Sequence, residues 1–401
     1  MKNQNGFSID NYTKIYLFDK CKLKHVNIVN TKINLVDSLD GALAENIISD
    51  SESILVINGS IPRDEVEKFG LREFENYVYE EYIGKKIVII YGNCHTMVIS
   101  EYLKNCAEFC DQYAIYPIKP IQTIKDPKYF KLPVFKVCDL FIHQSIQLNN
   151  RYGEDYASEN IIKILPISCR IIAIPNVYQL PVCFFPQYEK AHELRWRGDT
   201  MFFRDKRMDT YLKQGVSLRK IALNYNDCEM YSEEMLDEAF EKFKEKVLSR
   251  ENEWDIKAWK YINDNFQKKQ LFYDPNHPTN EFLRYVVEEL LSLLEIEYDA
   301  EALEKSKVTK LDSYQMPMLK VVKNHFDMRF EEEELRNTGR KVRHVTMDLQ
   351  EYVKQYSALI WTDKDFGFWK RGISLIRFVR MKIQDILIKV NISSILSTFL
   401  S

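Results

Sequence analysis

The amino-acid sequence predicts an α/β protein built on a three-layer, mostly parallel sheet. Three observations predict it. Ile87–Ile90 is a continuous apolar run, as expected of a strand buried on both faces of a parallel sheet. Met97, Val98, Tyr102, Leu103 and Cys106 then follow at helical spacing. Further short apolar runs at Val137–Ile142, Ile161–Leu165, Ile171–Ile174 and Val182–Phe185 alternate with polar, helix-compatible stretches, which favours helices on both faces of one sheet.

The elements fall into three regions. Residues 1–82 read as a small α/β unit, with strands at Ile15–Phe18, His25–Val29, Ile33–Val36 and Ile54–Ile57 and a charged helical pattern over Glu65–Tyr82. Residues 83–310 read as the main domain. Within it, 191–270 is charged and mostly helical in pattern. Phe282, Leu283, Val286, Val287, Leu290, Leu291 and Leu294 mark an amphipathic helix started by Thr279 or Asn280. Residues 311–401 read as a helical extension.

Composition narrows the function classes. The chain has 401 residues, long enough for more than one domain, and a formal charge of −3 that gives no global pull toward nucleic acid. Its eight cysteines are scattered without a CxxC pair, so neither a disulfide framework nor a zinc pattern is expected. No secretory signal is visible at the start, and no apolar run reaches the roughly 18 residues needed to span a bilayer. The expectation is a cytoplasmic protein. The last 35 residues, Gly367–Ser401, hold six Lys/Arg and one acid interleaved with apolar residues. Such a tail suits peripheral contact with an anionic membrane face, or docking on the enzyme or on a partner in a biosynthetic complex.

The sharpest chemical feature is Gly92-Asn93-Cys94-His95 between a strand and a helix. A turn of this kind delivers a side chain to the carboxyl edge of the sheet. It also puts Cys94 near a helix N-terminus, where a thiolate is favoured and backbone N–H groups can face an oxyanion. The bland alternative is a buried structural cysteine. A second feature is Asp274-Pro275-Asn276-His277 ahead of the amphipathic helix. There a carboxylate can fix the tautomer of an imidazole acting as base; the alternative is a histidine held between turn prolines. A nucleophile after the first strand and Asp-x-x-His before the last helix resembles the SGNH hydrolases, with Gly-Asn-Cys standing where they have Gly-Asp-Ser.

Other residues are candidates near the same edge. Gln144 or Ser145 can donate to an oxyanion or position substrate, and His143 can compete with His277 as base. Asn176 ends a strand candidate, and His95 either polarises the site or faces solvent. Residues 191–220 hold eight Lys/Arg against four acids. Arg195, Arg197, Arg204 and Arg207 there can pair bidentately with phosphates, or simply line a solvated helix. No P-loop or GxGxxG motif is present, and no convincing metal set.

Five segments, in order, resemble the WcbI-like capsular polysaccharide biosynthesis family. They are Ile-Val-Ile-Ile-Tyr-Gly-Asn-Cys-His at 87–95, Phe-Ile-His-Gln-Ser-Ile at 141–146, Pro-Asn-Val-Tyr-Gln-Leu-Pro at 175–181, Asp-Pro-Asn-His-Pro-Thr-Asn at 274–280 and Tyr-Gln-Met-Pro-Met-Leu-Lys-Val-Val at 314–322. Where the family has Gln after the cysteine, this chain has His95. The resemblance implies an SGNH-like or Rossmann-like sheet, coenzyme A or acetyl-coenzyme A as co-substrate without a metal, and acetyl transfer to a sugar or glycan acceptor during bacterial surface polysaccharide assembly. It also gives the basic stretch a purpose, the cofactor's phosphates. Three readings follow: an O-acyltransferase using Cys94, His277 and Asp274; an esterase or thioesterase using the same set with water; or a non-catalytic coenzyme- or glycan-binding scaffold.

Overall fold

The computed structural model describes residues 8–9, 12, 14–18, 32–36, 39, 41–57, 59, 61–185, 188–196, 199–224, 231–331, 340–342 and 345–360. Its first sheet is four-stranded and parallel, in the order β2-β1-β3-β4. The elements are β1 (Lys14–Phe18), β2 (Lys32–Val36), α1 (Gly41–Ser49), β3 (Ser53–Ile57), α2 (Arg63–Glu67) and β4 (Tyr77–Tyr79). Three of the expected strands are present; His25–Val29 lies outside the described residues. The helix expected over Glu65–Tyr82 stops at Glu67. Gly70, at φ +81°, turns the chain, and Tyr77-Val78-Tyr79 then pairs with β3, because aromatic and β-branched side chains fit a pleated, buried surface.

A second parallel sheet holds β5 (Lys86–Tyr91), β6 (Tyr113–Tyr116), β7 (Leu140–Gln144) and β8 (Arg170–Ile174) in the order β6-β5-β7-β8. Helices α3 (His95–Lys104) and α4 (Ala107–Gln112) follow β5, and α5 (Ser158–Ile162) precedes β8. Ile87–Tyr91 is buried throughout, as its unbroken apolar run requires. The run at Ile161–Leu165 is not a strand; its first residues close α5. Val182–Phe185 is also not a strand, because Pro181, lacking an N–H, opens a 3-10 turn over Pro181–Phe184. The chain leaves β5 outward to β6 and returns across it to β7. The crevice beyond the carboxyl ends of β5 and β7 is therefore the point where strand order reverses, and open α/β sheets place ligands there.

Beyond β8 the expectation of mostly helix needs correcting. Strand β9 (Tyr188–Trp196) pairs antiparallel with β10 (Asp199–Asp205), favoured by Tyr188, Trp196, Thr200, Phe202 and Phe203 despite the surrounding charge. Helices α6 (Lys206–Lys213), α7 (Leu218–Asn224), α8 (Glu233–Glu251) and α9 (Trp259–Asn265) follow. A tight hairpin, β11 (Phe272–Asp274) and β12 (His277–Pro278), leads into α10 (Asn280–Leu293). Then come α11 (Ala300–Glu304), α12 (Lys320–His325) and α13 (Leu349–Ile360), with a small antiparallel sheet of β13 (Tyr314–Gln315), β14 (Arg340–Val342) and β15 (Val345–Met347). The tail Gly367–Ser401 lies outside the described residues. No described helix is long and apolar enough to cross a membrane.

Alternation along the second sheet divides the core in two. Val88, Ile90, Leu140, Ile142, Ile172 and Ile174 join α3 and α10 on one face. Ile87, Ile89, Tyr91 and Phe141 point to the other, where they share one cluster with Ile54, Val56, Tyr77 and Val78 of the first sheet. Helix α10 buries six apolar side chains, each contributing about 1.5–3 kcal/mol. This burial holds α10 against α3 and brings the starts of both helices to the same sheet edge.

Candidate active site

Gly92 begins the loop after β5. A Cβ there would lie 2.5 Å from Gln144 Oε1 and 2.8 Å from Thr96 Cγ2, so only glycine lets the Gln144 amide reach the backbone. The Asn93 N–H donates to Gln144 Oε1 at 2.9 Å. The His95 N–H donates to Asn93 Oδ1 at 2.9 Å, and Thr96 Oγ1 donates to Asn93 O at 2.7 Å. The loop is thereby fixed, with the partly exposed Cys94 as N-cap of α3. Among the described residues no acceptor is bonded to the Cys94 N–H.

The second half of the site comes from the β11–β12 hairpin. Asp274 is fully buried. Its Oδ1 accepts from the Asn276 and His277 N–H groups at 2.6 and 3.1 Å. Its Oδ2 lies 2.8 Å from His277 Nδ1. The Cys94 side chain lies close enough to act on the His277 ring. Burial by itself would push the His277 imidazole down. The Asp274 carboxylate and the Cys94 side chain reverse the sign and hold it up at about 10, so the ring is protonated at neutral pH. The structure thus brings Cys94, from the loop after β5, beside the Asp274–His277 pair of a hairpin far along the chain.

His95 does something the sequence did not suggest. It neither faces solvent nor lines a substrate space, being 1% exposed. Its Nε2 is 2.8 Å from Asn276 O; a carbonyl only accepts, so Nε2 carries the proton. Nδ1 is left to accept from Gln144 Nε2 at 3.2 Å. Burial lowers the ring to about 3, further than the Asn276 carbonyl raises it, and His95 stays neutral. His95 and Gln144 form a buried clamp joining the Cys94 loop to the His277 hairpin. With both ends of its amide engaged and no exposed surface, Gln144 is a strut instead of the expected oxyanion donor.

The remaining candidates separate. His143 points to the opposite face of β7, stacked on Phe141 with centroids 5.3 Å apart. Burial lowers its ring, and it is not positioned as a rival base. Ser145 Oγ donates to Glu253 O at 3.3 Å. Asn176 Oδ1 accepts from Asn93 Nδ2 at 3.4 Å, leaving the Asn176 amide N–H groups beside the Cys94 loop. Arg195 and Arg204 sit on the paired strands β9 and β10, their side chains outside the described set, as is all of Arg197. Arg207 is 1% exposed, its guanidinium 5.6 Å from the Tyr231 ring centroid, and is not presented to solvent. Among the described residues no group of three or more His, Cys, Asp or Glu could hold a metal ion.

Three neighbours of the site had not been singled out. Arg250, in the last turn of α8, donates from Nη1 to Asn176 O at 2.9 Å and lies 5.2 Å from the Trp254 ring centroid. Tyr178, whose hydroxyl is pushed up chiefly by burial, lies near Arg151 and Cys94. Arg151 donates from Nη2 to the Tyr152 hydroxyl at 2.6 Å. Tyr178 belongs to the segment 175–181 already noted, whereas no local motif marks Arg250 or Arg151, which only the fold brings to this edge.

A family model described as polysaccharide biosynthesis enzyme WcbI matches residues 87–299, from β5 through α10. Among solved structures, a native WcbI matches with a TM-score of 0.57 and 18% identity, covering 75% of this chain and 98% of its own. That protein is described as a novel polysaccharide biosynthesis enzyme, in a form without a disulfide bond between coenzyme A and one of its cysteines. No curated protein sequence matches.

Proposed function

The chain belongs to the WcbI family of polysaccharide biosynthesis enzymes, and from that premise we propose that it transfers an acetyl group from coenzyme A to a sugar hydroxyl. The observation that carries this reading is the imidazole of His277 held between a buried carboxylate and the Cys94 sulfur. An imidazolium beside a cysteine favours the nucleophilic thiolate. The matched WcbI protein, described by reference to a coenzyme A–cysteine disulfide, supports placing a thioester sulfur near such a residue.

Cys94 attacks the acyl carbon, forming a carbon–sulfur bond while the bond to the donor sulfur breaks. His277 gives its proton to that leaving sulfur. The Cys94 N–H and the Asn176 amide are the donors nearest the developing oxyanion. In the second half His277, now neutral, takes the proton of a sugar hydroxyl as its oxygen attacks the acyl-cysteine carbon, and the Cys94 sulfur leaves. Asp274 fixes the ring with Nε2 toward the sulfur throughout. Arg207, being buried, is not given the co-substrate's phosphates.

Turnover of acetyl-coenzyme A with a panel of sugar acceptors tests this, alongside mass spectrometry for acetyl-Cys94. Cys94→Ala and His277→Gln should each lower turnover by about a hundredfold or more. Full turnover in both Cys94→Ser and Cys94→Ala would remove the nucleophile role. Release of free acetate at the same rate without any sugar would make the enzyme a hydrolase.

A further inference from the structure

We infer that Arg250 and Arg151 flank Cys94 as an anion-binding subsite that grips a phosphate or carboxylate carried by the substrate. The inference rests on the Cys94 loop being the reaction centre. Arg250 reaches the site from α8, spending one N–H on the carbonyl of Asn176, whose own side chain meets Asn93 next to Cys94. No carboxylate lies within ion-pair distance of Arg250 or of Arg151 among the described residues. Glu253 is an acid that acts on Arg250 from beyond ion-pair distance, and its carboxylate also accepts from Gln147 at 2.8 Å. Trp254 is 2% exposed, and its indole N–H has no hydrogen-bond partner among the described residues. The edge therefore carries a surplus of donors and positive charge over acceptors.

A half-buried cation whose counter-charge, Glu253, stays beyond ion-pair distance is costly to keep, and burial lowers the Arg250 guanidinium more than Glu253 raises it. An incoming oxyanion removes that cost. Guanidinium forks match phosphate and carboxylate geometry bidentately, and the half-buried rings of Tyr152 and Tyr178 give the rest of such a substrate a flat surface. Arg151 lies 4.8 Å from the Tyr152 ring centroid, which holds it in place without neutralising it.

Calorimetric titration of inorganic pyrophosphate and, separately, glucuronate into the full chain tests the subsite. The expected result is binding of at least one probe, weakened about tenfold or more by Arg250→Gln and by Arg151→Gln, since a charge-assisted hydrogen bond contributes about 1.5–3 kcal/mol. Arg250→Lys should recover part of the loss. Preference for pyrophosphate would mark a phosphoryl-bearing donor, and preference for glucuronate an acidic sugar. Cys94→Ser should leave probe binding intact, so failure of the acyl-transfer reading leaves this result standing. No binding of either probe, or equal affinity in wild type and both glutamine variants, would overturn the subsite.

Discussion

At His277 two opposing effects decide the protonation state. Burial disfavours the imidazolium, while Asp274 at 2.8 Å and the Cys94 sulfur favour it, and the pair wins. An unfolded imidazole titrates near about 6.5, so the folded ring holds its proton more tightly. The stabilisation is complete below that pH and is lost as pH climbs through about 10. Denaturant titrations should show wild type exceeding His277→Gln by a few kcal/mol near about pH 6, with the gap closing near about pH 10. A gap independent of pH would mean that the imidazolium does not form. Gly92 gives a second prediction, since Gly92→Ala pushes a methyl into Gln144. The cost should be about 1–3 kcal/mol, and Gly92→Ala/Gln144→Ala should cost less than the sum of the single changes. Cys94, Asp274 and His277 were legible because each lies in a turn whose residue types admit few other uses. The His95–Gln144 clamp was not, because their 3.2 Å contact exists only once β5 and β7 are neighbours.

Among the elements, α3 and α10 matter most, because Cys94 caps one and the His277 hairpin opens the other. Periodicity located both helices. It failed at 161–165 and 182–185, where four or five apolar residues suit a strand or a buried turn equally well, and Pro181 decided the second case. At β9 and β10 the count of charges concealed an antiparallel strand pair. The packing of α10 sets the geometry of the site, so position along the helix should decide what a truncation damages. Leu283→Ala and Leu291→Ala should each cost about 2–5 kcal/mol in denaturant melts, both side chains being buried. Leu283, in the first turn, should also lower turnover severalfold, whereas Leu291, at the far end, should leave it nearly unchanged. Equal loss of turnover in both variants would detach the site from the start of the helix.

For the molecule as a whole, Arg63 ties the two sheets together. It pairs with the buried Glu73 at 2.7 Å, donates to the Tyr82 hydroxyl at 2.8 Å, and lies 5.1 Å from the ring centroids of Tyr79 and Tyr116. Arg63→Ala strands a carboxylate that is 4% exposed and should cost about 3–5 kcal/mol. Because the first sheet shares its apolar cluster with β5 and β7, calorimetry should show the loss as a shift of one transition. Two separate transitions would make the N-terminal sheet an independent unit. The sequence suggested a small N-terminal α/β unit but not this shared core, since contacts between sheets leave no periodic trace. The clamp between His95 and Asn276 joins residues 181 positions apart. Closing so long a loop comes late in folding. A chain still emerging from synthesis can lay down β5 and α3 and present Cys94 without its histidine, so under the proposed chemistry the thiol meets its partner only once the His277 hairpin has been made and packed.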